Sequence, residues 1–154
     1  MKMPVIVLNP NYGMDPETGQ KVPLNDTMSK HCKHIWRNYI EPAGFKSLKV
    51  IAHSAGGFCL TGIQQTFQST FYKTVSSIAI TDSCVIEKSL LTPHQREFMA
   101  KRAVHYISSY EDLGIEERGR TRRGSAHMEV CPHVSAGHPK HEYTTGAAWP
   151  LIIQ

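Results

Sequence analysis

The chain has 154 residues, enough for one domain with a proper core and too few for two of independent stability. A hydrophobic share of 40% against 19% charged residues is globular composition and excludes a disordered chain, while the longest early apolar run, residues 5–8, excludes a signal-peptide core or a membrane span at the N-terminus. The net charge of +4 is modest, and much of the excess sits in Arg118, Arg120, Arg122 and Arg123; such a cluster is a weak candidate for direct nucleic-acid contact and more simply a solvated loop.

Along the chain, "PVIVLNPN" reads as a buried strand ended by a turn, followed by a loop rich in glycine and proline. From Asp26 the period changes. Met28, Cys32, Ile35, Trp36, Tyr39 and Ile40 fall on one helical face, which "EPAG" at 41–44 ends. "LKVIA" (48–52) is the next strand, with one helix expected over 55–71, and "VSSIAIT" (75–81) is a third strand. Thr92-Pro93-His94-Gln95 has the capping-box pattern with proline at the first helical position, which predicts a helix to about Val104. "HYISS" predicts a fourth strand and "EVCPHVSAG" a fifth, and "GAAWPLIIQ" a closing helix. Strands separated by helices imply crossovers and a mostly parallel sheet, so the class is α/β. Starting on a strand and stopping on apolar residues predicts a shortened or incomplete domain. The four cysteines contain no C-x-x-C pair and point to a reducing compartment, cytosol or nucleus.

The chemistry centres on "IAHSAGG". Ser54 follows a buried strand and precedes a glycine-rich helix start, the context of a nucleophile elbow, whose sharp turn requires small residues two before and two after the serine. Here these are Ala52 and Gly56. Such a turn lifts the hydroxyl to the C-terminal edge of the sheet and turns the Ala55 amide toward a developing oxyanion; a second donor is expected from the loop at Asn9 to Asn11. The competing interpretations are close helix–strand packing at Gly56-Gly57, or an anion-binding nest there for a phosphate. A nucleophilic serine needs a histidine base and a carboxylate, in chain order serine, acid, histidine. His138 and His141 lie at the same sheet edge after the fifth strand. Asp82 ends the third strand and Glu111 follows the fourth; both are candidates for the acid. The histidine sets His31/His34 with Cys32, and His133/His138/His141 with Cys131, have no recognisable zinc spacing, so no metal and no cofactor is expected.

Taken together, "VIVLNPN", "IAHSAGG", "SIAITDS", "YISSYEDLG" and "CPHVSAGHPKHEYTT" resemble, in order, the α/β-hydrolase-like domain shared by the fungal Argonaute siRNA chaperone subunit, the tail of some fungal histone deacetylases and the animal cotranscriptional regulators that bind Argonaute. The resemblance implies a three-layer hydrolase-like fold with a mostly parallel sheet of about five strands, truncated on its N-terminal side, since the family's domain has further strands before "LNPN". It carries Ser54 over as the serine and His141, not His138, as the histidine, and leaves Asp82 and Glu111 both open. Ala55 stands where the family often has an aromatic residue. Family members are known mainly as partners and scaffolds, with hydrolysis presumed. The resemblance thus implies protein partners, Argonaute or chromatin and splicing factors, in the cytoplasm or nucleus, with an active serine hydrolase for an ester, thioester or amide as the alternative.

Overall fold

Four parallel strands carry the structure, a computed structural model that describes residues 4–83, 91–117 and 130–154. They are β1 (Leu48–His53), β2 (Val75–Thr81), β3 (Ala103–Ile107) and β4 (His133–Ser135), side by side in that order. Helices fill the crossovers from β1 to β2 and from β2 to β3. α1 (Met28–Ile35) runs through one π-helical stretch, Trp36–Ile40, into the short α2 (Glu41–Ala43). Gly44, at φ 62°, stops it, because a left-handed residue ends a helix at least cost without a side chain. α3 (Gly56–Thr66) and α4 (Gln68–Thr74) join β1 to β2, α5 (Pro93–Arg102) precedes β3, and α6 (Thr144–Ile152) follows β4.

The alternation of side chains along a strand assigns two cores. Ile78 and Ile80 of β2, with Ala52 and Ala103, join α1, α3, α4 and α5 in the larger core, around Trp36, Phe71 and Met99. The Trp36 ring lies 5.6 Å from that of Phe71 and 6.2 Å from that of Phe67. Ala79 points the other way and meets Tyr106, Ala136 and Ala148, with α6 over them. Helices on both faces make three layers, and this two-sided burial explains why β2 ends in an unbroken buried run, Ile78 to Thr81.

Apart from shifts of two residues at the α5–β3 junction and at the start of α6, the expected elements differ from the observed ones at three places. Among the described residues the sheet has four strands, not five: residues 5–8 form no strand, and Val5 and Val7 are 74% and 85% exposed. β-branched composition favours a strand only where a neighbour completes the ladder and covers a face. The helix expected over 55–71 breaks at Phe67 (φ −119°, ψ 42°), whose ring is drawn into the core against Trp36. The last strand is only three residues long because Pro132 precedes it and cannot donate to the ladder; its carbonyl accepts from His105 N at 2.9 Å. The arginine cluster, Arg118, Arg120, Arg122 and Arg123, and Cys84 lie outside the described residues; Cys32, Cys59 and Cys131 are buried free thiols.

Candidate active site

The register of β1 against β2 ends at His53↔Thr81, so the next residues, Ser54 and Asp82, leave the sheet side by side at its C-terminal edge. Both take left-handed backbone angles, Ser54 at φ 53° and Asp82 at φ 40°. Residues other than glycine rarely do so, and such strain concentrates at working sites. Hydrogen bonds hold the two turns: Ser54 N donates to Thr81 O at 3.1 Å, Asp82 N donates to Tyr106 O at 2.8 Å, and the Ser83 hydroxyl donates to the Ser54 carbonyl. α3 begins two residues after Ser54, with Ala55 as its N-cap. The Ala55 amide thus stands at the helix end whose N–H groups lack intrahelical acceptors. Gly56 is less constrained than the elbow pattern suggests, since a Cβ there would sit 3.6 Å from Ala52 Cβ, an ordinary contact.

His141 opens the 3-10 turn, His141–Tyr143, that leads into α6. Its Nδ1 lies 2.6 Å from Asp82 Oδ2, with side-chain exposures of 32% for the histidine and 10% for the aspartate. The other carboxylate oxygen, Oδ1, accepts from Ser108 N at 3.2 Å and Ser108 Oγ at 3.1 Å. Burial alone raises the Asp82 pKa, but the bond from His141 and the two from Ser108 outweigh it and hold the carboxyl below its usual value. Asp82 therefore stays an anion that accepts through both oxygens. Among the described residues no hydrogen bond links the Ser54 hydroxyl to the His141 ring.

The structure thus brings Asp82 and His141 together, with Ser54 beside Asp82. It does not bring in Glu111 or His138. Glu111 is exposed, its amide bonded to Ser109 Oγ and its carbonyl to Ser135 Oγ, and its carboxylate makes no bond to His141. His138 turns to Tyr143, ring centroids 5.0 Å apart, and its Nδ1 accepts from Lys140 N. Asn9 and Asn11, in the loop expected to give a backbone oxyanion donor, are exposed in a turn closed by Tyr12 N donating to Asn9 O. Of the histidines weighed as metal ligands, His31 Nδ1 faces Asn25 Oδ1 at 2.8 Å and His34 Nδ1 faces the Asn38 amide at 3.1 Å. Among the described residues no group of three or more His, Cys, Asp and Glu side chains is arranged to hold a metal ion, and no helix is long and apolar enough to cross a membrane.

Sequence reasoning missed Ser108 and His53. Ser108 lies just beyond the end of β3 and reaches Asp82 only because β2 and β3 pair as they do, for which no spacing in the chain gives a signal. His53 is visible as the residue before Ser54, but nothing local says that its ring faces His141.

The parallel sheet with helices on both faces defines the class, a three-layer α/β protein, and a strained serine after one strand, an aspartate after the next and a histidine bonded to that aspartate stand at the C-terminal edge of its sheet. The Arb2 domain model matches residues 2–113, most of the chain, and the chain belongs to the Arb2 domain family. That match includes Ser54, Asp82 and Glu111 but ends before His141. The chain is 26% identical over 131 residues to a cotranscriptional regulator ARB2A homolog of Xenopus tropicalis, covering 84% of this chain and 29% of that protein. It is 25% identical to the human cotranscriptional regulator ARB2A over 131 residues, 84% of this chain and 30% of that protein. A FAM172 family protein homolog of Caenorhabditis elegans is 32% identical over 79 residues, 51% of this chain and 24% of that protein. The chain thus spans about 30% of the length of the ARB2A relatives it matches. No solved structure matches.

Proposed function

We propose that this chain is a hydrolase-like domain working in the protein assemblies of cotranscriptional regulation, within RNA silencing, chromatin or splicing, and that it keeps a serine-hydrolase site. The names of its relatives, cotranscriptional regulators, support the regulatory part and action in the nucleus; Argonaute and chromatin or splicing factors are the partners proposed. The single observation that carries the site is the 2.6 Å bond from His141 to an aspartate that emerges next to a strained serine.

In the proposed chemistry, Ser54 Oγ attacks an ester, thioester or amide carbonyl. His141 takes its proton through Nε2, the nitrogen not engaged by Asp82, and returns it to the leaving group. Asp82, rather than Glu111, keeps the Nδ1 proton in place and stabilises the imidazolium. The Ala55 amide at the start of α3 supplies one oxyanion donor, and the loop at Asn9 and Asn11 is the proposed source of the second. The Ser54–His141 contact forms on binding substrate, as catalytic hydrogen bonds often tighten only in the complex.

Labelling with a fluorophosphonate tests the site: Ser54 is modified in the wild type and the signal disappears in Ser54→Ala. A wild type that resists labelling while folded would reduce the arrangement to a relic and leave the regulatory role alone. That role is tested separately, by co-purification of the chain with Argonaute and with spliceosomal or chromatin proteins, which Ser54→Ala leaves intact.

A further inference from the structure

A second imidazole stands against the first. Alternation along β1 sends the His53 side chain to the face of the sheet that α6 covers, beside its register partner Thr81. There its ring meets that of His141, with centroids 4.6 Å apart and planes inclined by 35°. His53 Nδ1 lies 3.3 Å from Thr81 Oγ1 and 3.5 Å from Thr145 Oγ1, and these two hydroxyls are 2.6 Å from each other. Thr81 is fully buried on β2 and Thr145 sits in the first turn of α6, so the pair ties the histidine to both sheet and helix. The His141 ring has one hydrogen bond among the described residues, to Asp82. A half-exposed ring tied through one nitrogen turns about that bond, and a second ring packed on its face removes the rotation.

We propose that His53 is a positioning residue for the serine-hydrolase site: it backs His141 and fixes the plane in which that imidazole presents its other nitrogen to Ser54. The proposal rests on the hydrolase reading above. It requires His53 to be the neutral partner, because His141 becomes cationic when it takes the serine proton. The charged groups facing His53 are His141 and Glu142 from the turn before α6 and Asp82 from the end of β2. Burial, and then the neighbouring His141, hold the His53 pKa below that of a free histidine, while Thr81, Asp82 and Glu142 pull it up without cancelling them. His53 is therefore the neutral partner at pH 7 and sets no like charge beside the imidazolium that forms at His141.

The test uses the whole chain with His53→Ala, which removes the wall, and His53→Phe, which rebuilds it without the nitrogens. Fluorophosphonate labelling of Ser54 is followed from pH 4.5 to 9, and the histidine rings are followed by nitrogen-15 NMR. In His53→Ala, labelling at pH 8 is expected to fall by about tenfold, the scale of a small loss of alignment, with the His141 Nδ1 signal losing its bonded signature and the thermal melt unchanged. His53→Phe recovers most of that rate, and its acid limb moves because one titrating ring is gone; a purely structural side chain would leave the pH profile where it was. Wild-type labelling rate, pH profile and His141 signals in His53→Ala would overturn the proposal. If the wild type does not label, the hydrolase reading fails, and NMR decides the positioning role alone: altered His141 signals in His53→Ala support it and unchanged ones overturn it.

Discussion

On the opposite face of the sheet, His105 and His133 are register partners on β3 and β4, both buried, with ring centroids 4.8 Å apart at 80°. His105 Nε2 accepts from Ser83 N at 3.1 Å, which leaves Nδ1 as the protonated nitrogen of the neutral ring. Burial first and the His133 ring second depress its pKa from 6.5 to about 4. Above pH 6.5 the ring is neutral in folded and unfolded chains alike, and it contributes no pH dependence. Between 6.5 and 4 the unfolded chain binds a proton that the folded one refuses, so stability falls as the pH falls; below 4 both are protonated and the slope ends. A depression of roughly 2.5 units at 1.36 kcal/mol each amounts to about 3 kcal/mol lost across this window. Urea unfolding at half-unit steps from pH 8 to pH 4 measures it, comparing the wild type with His105→Gln, whose amide oxygen can still accept from Ser83 N. The wild type should lose about 3 kcal/mol more than the variant over the interval. Parallel curves, with the same loss in both proteins, would refute the claim that the buried ring at 105 is held neutral.

Asp82→Asn should lower fluorophosphonate labelling of Ser54 by about a hundredfold or more, since an amide neither anchors the Nδ1 proton nor balances an imidazolium, whereas Glu111→Gln leaves the rate alone; the reverse pattern would exchange the two acids. Gly137 has φ 72° and a Cβ there would meet Leu113 Cβ at 3.0 Å, while Gly44 at φ 62° faces open space. Gly137→Ala should therefore cost about 2–4 kcal/mol and Gly44→Ala about 1 kcal/mol by chemical denaturation, the difference being the clash rather than the backbone strain they share. Thr92→Ala breaks a complete capping box, in which Gln95 N donates to Thr92 Oγ1 at 3.2 Å and Thr92 N donates to Gln95 Oε1 at 2.8 Å. It should lower stability by about 1 kcal/mol, and Thr92→Ser should recover most of that.

Features set by neighbouring residues were legible in the chain itself. The Thr92–Gln95 box marks the start of α5, the apolar run at 75–81 is β2 residue for residue, and the small residues around Ser54 announce the strained turn that φ 53° records. Periodicity and capping act over a few residues, so the order of letters suffices to specify them. The Val5–Leu8 run shows the limit of such signals: its composition favours a strand, yet a strand exists only when another supplies the ladder.

What only the tertiary structure decided is which groups meet. Asp82 and Glu111 look alike in sequence, each a carboxylate just beyond a strand. The aspartate receives His141 because its turn follows the register pair His53↔Thr81 and is steadied by Ser108, while Glu111 points to solvent. The facing of His53 on His141 likewise depends on strand register and on where α6 docks against the sheet. These contacts join residues dozens of positions apart. Their geometry follows from sheet pairing and from the packing of α6 on Ala79 and Tyr106, and neither is encoded by the spacing of residues along the chain.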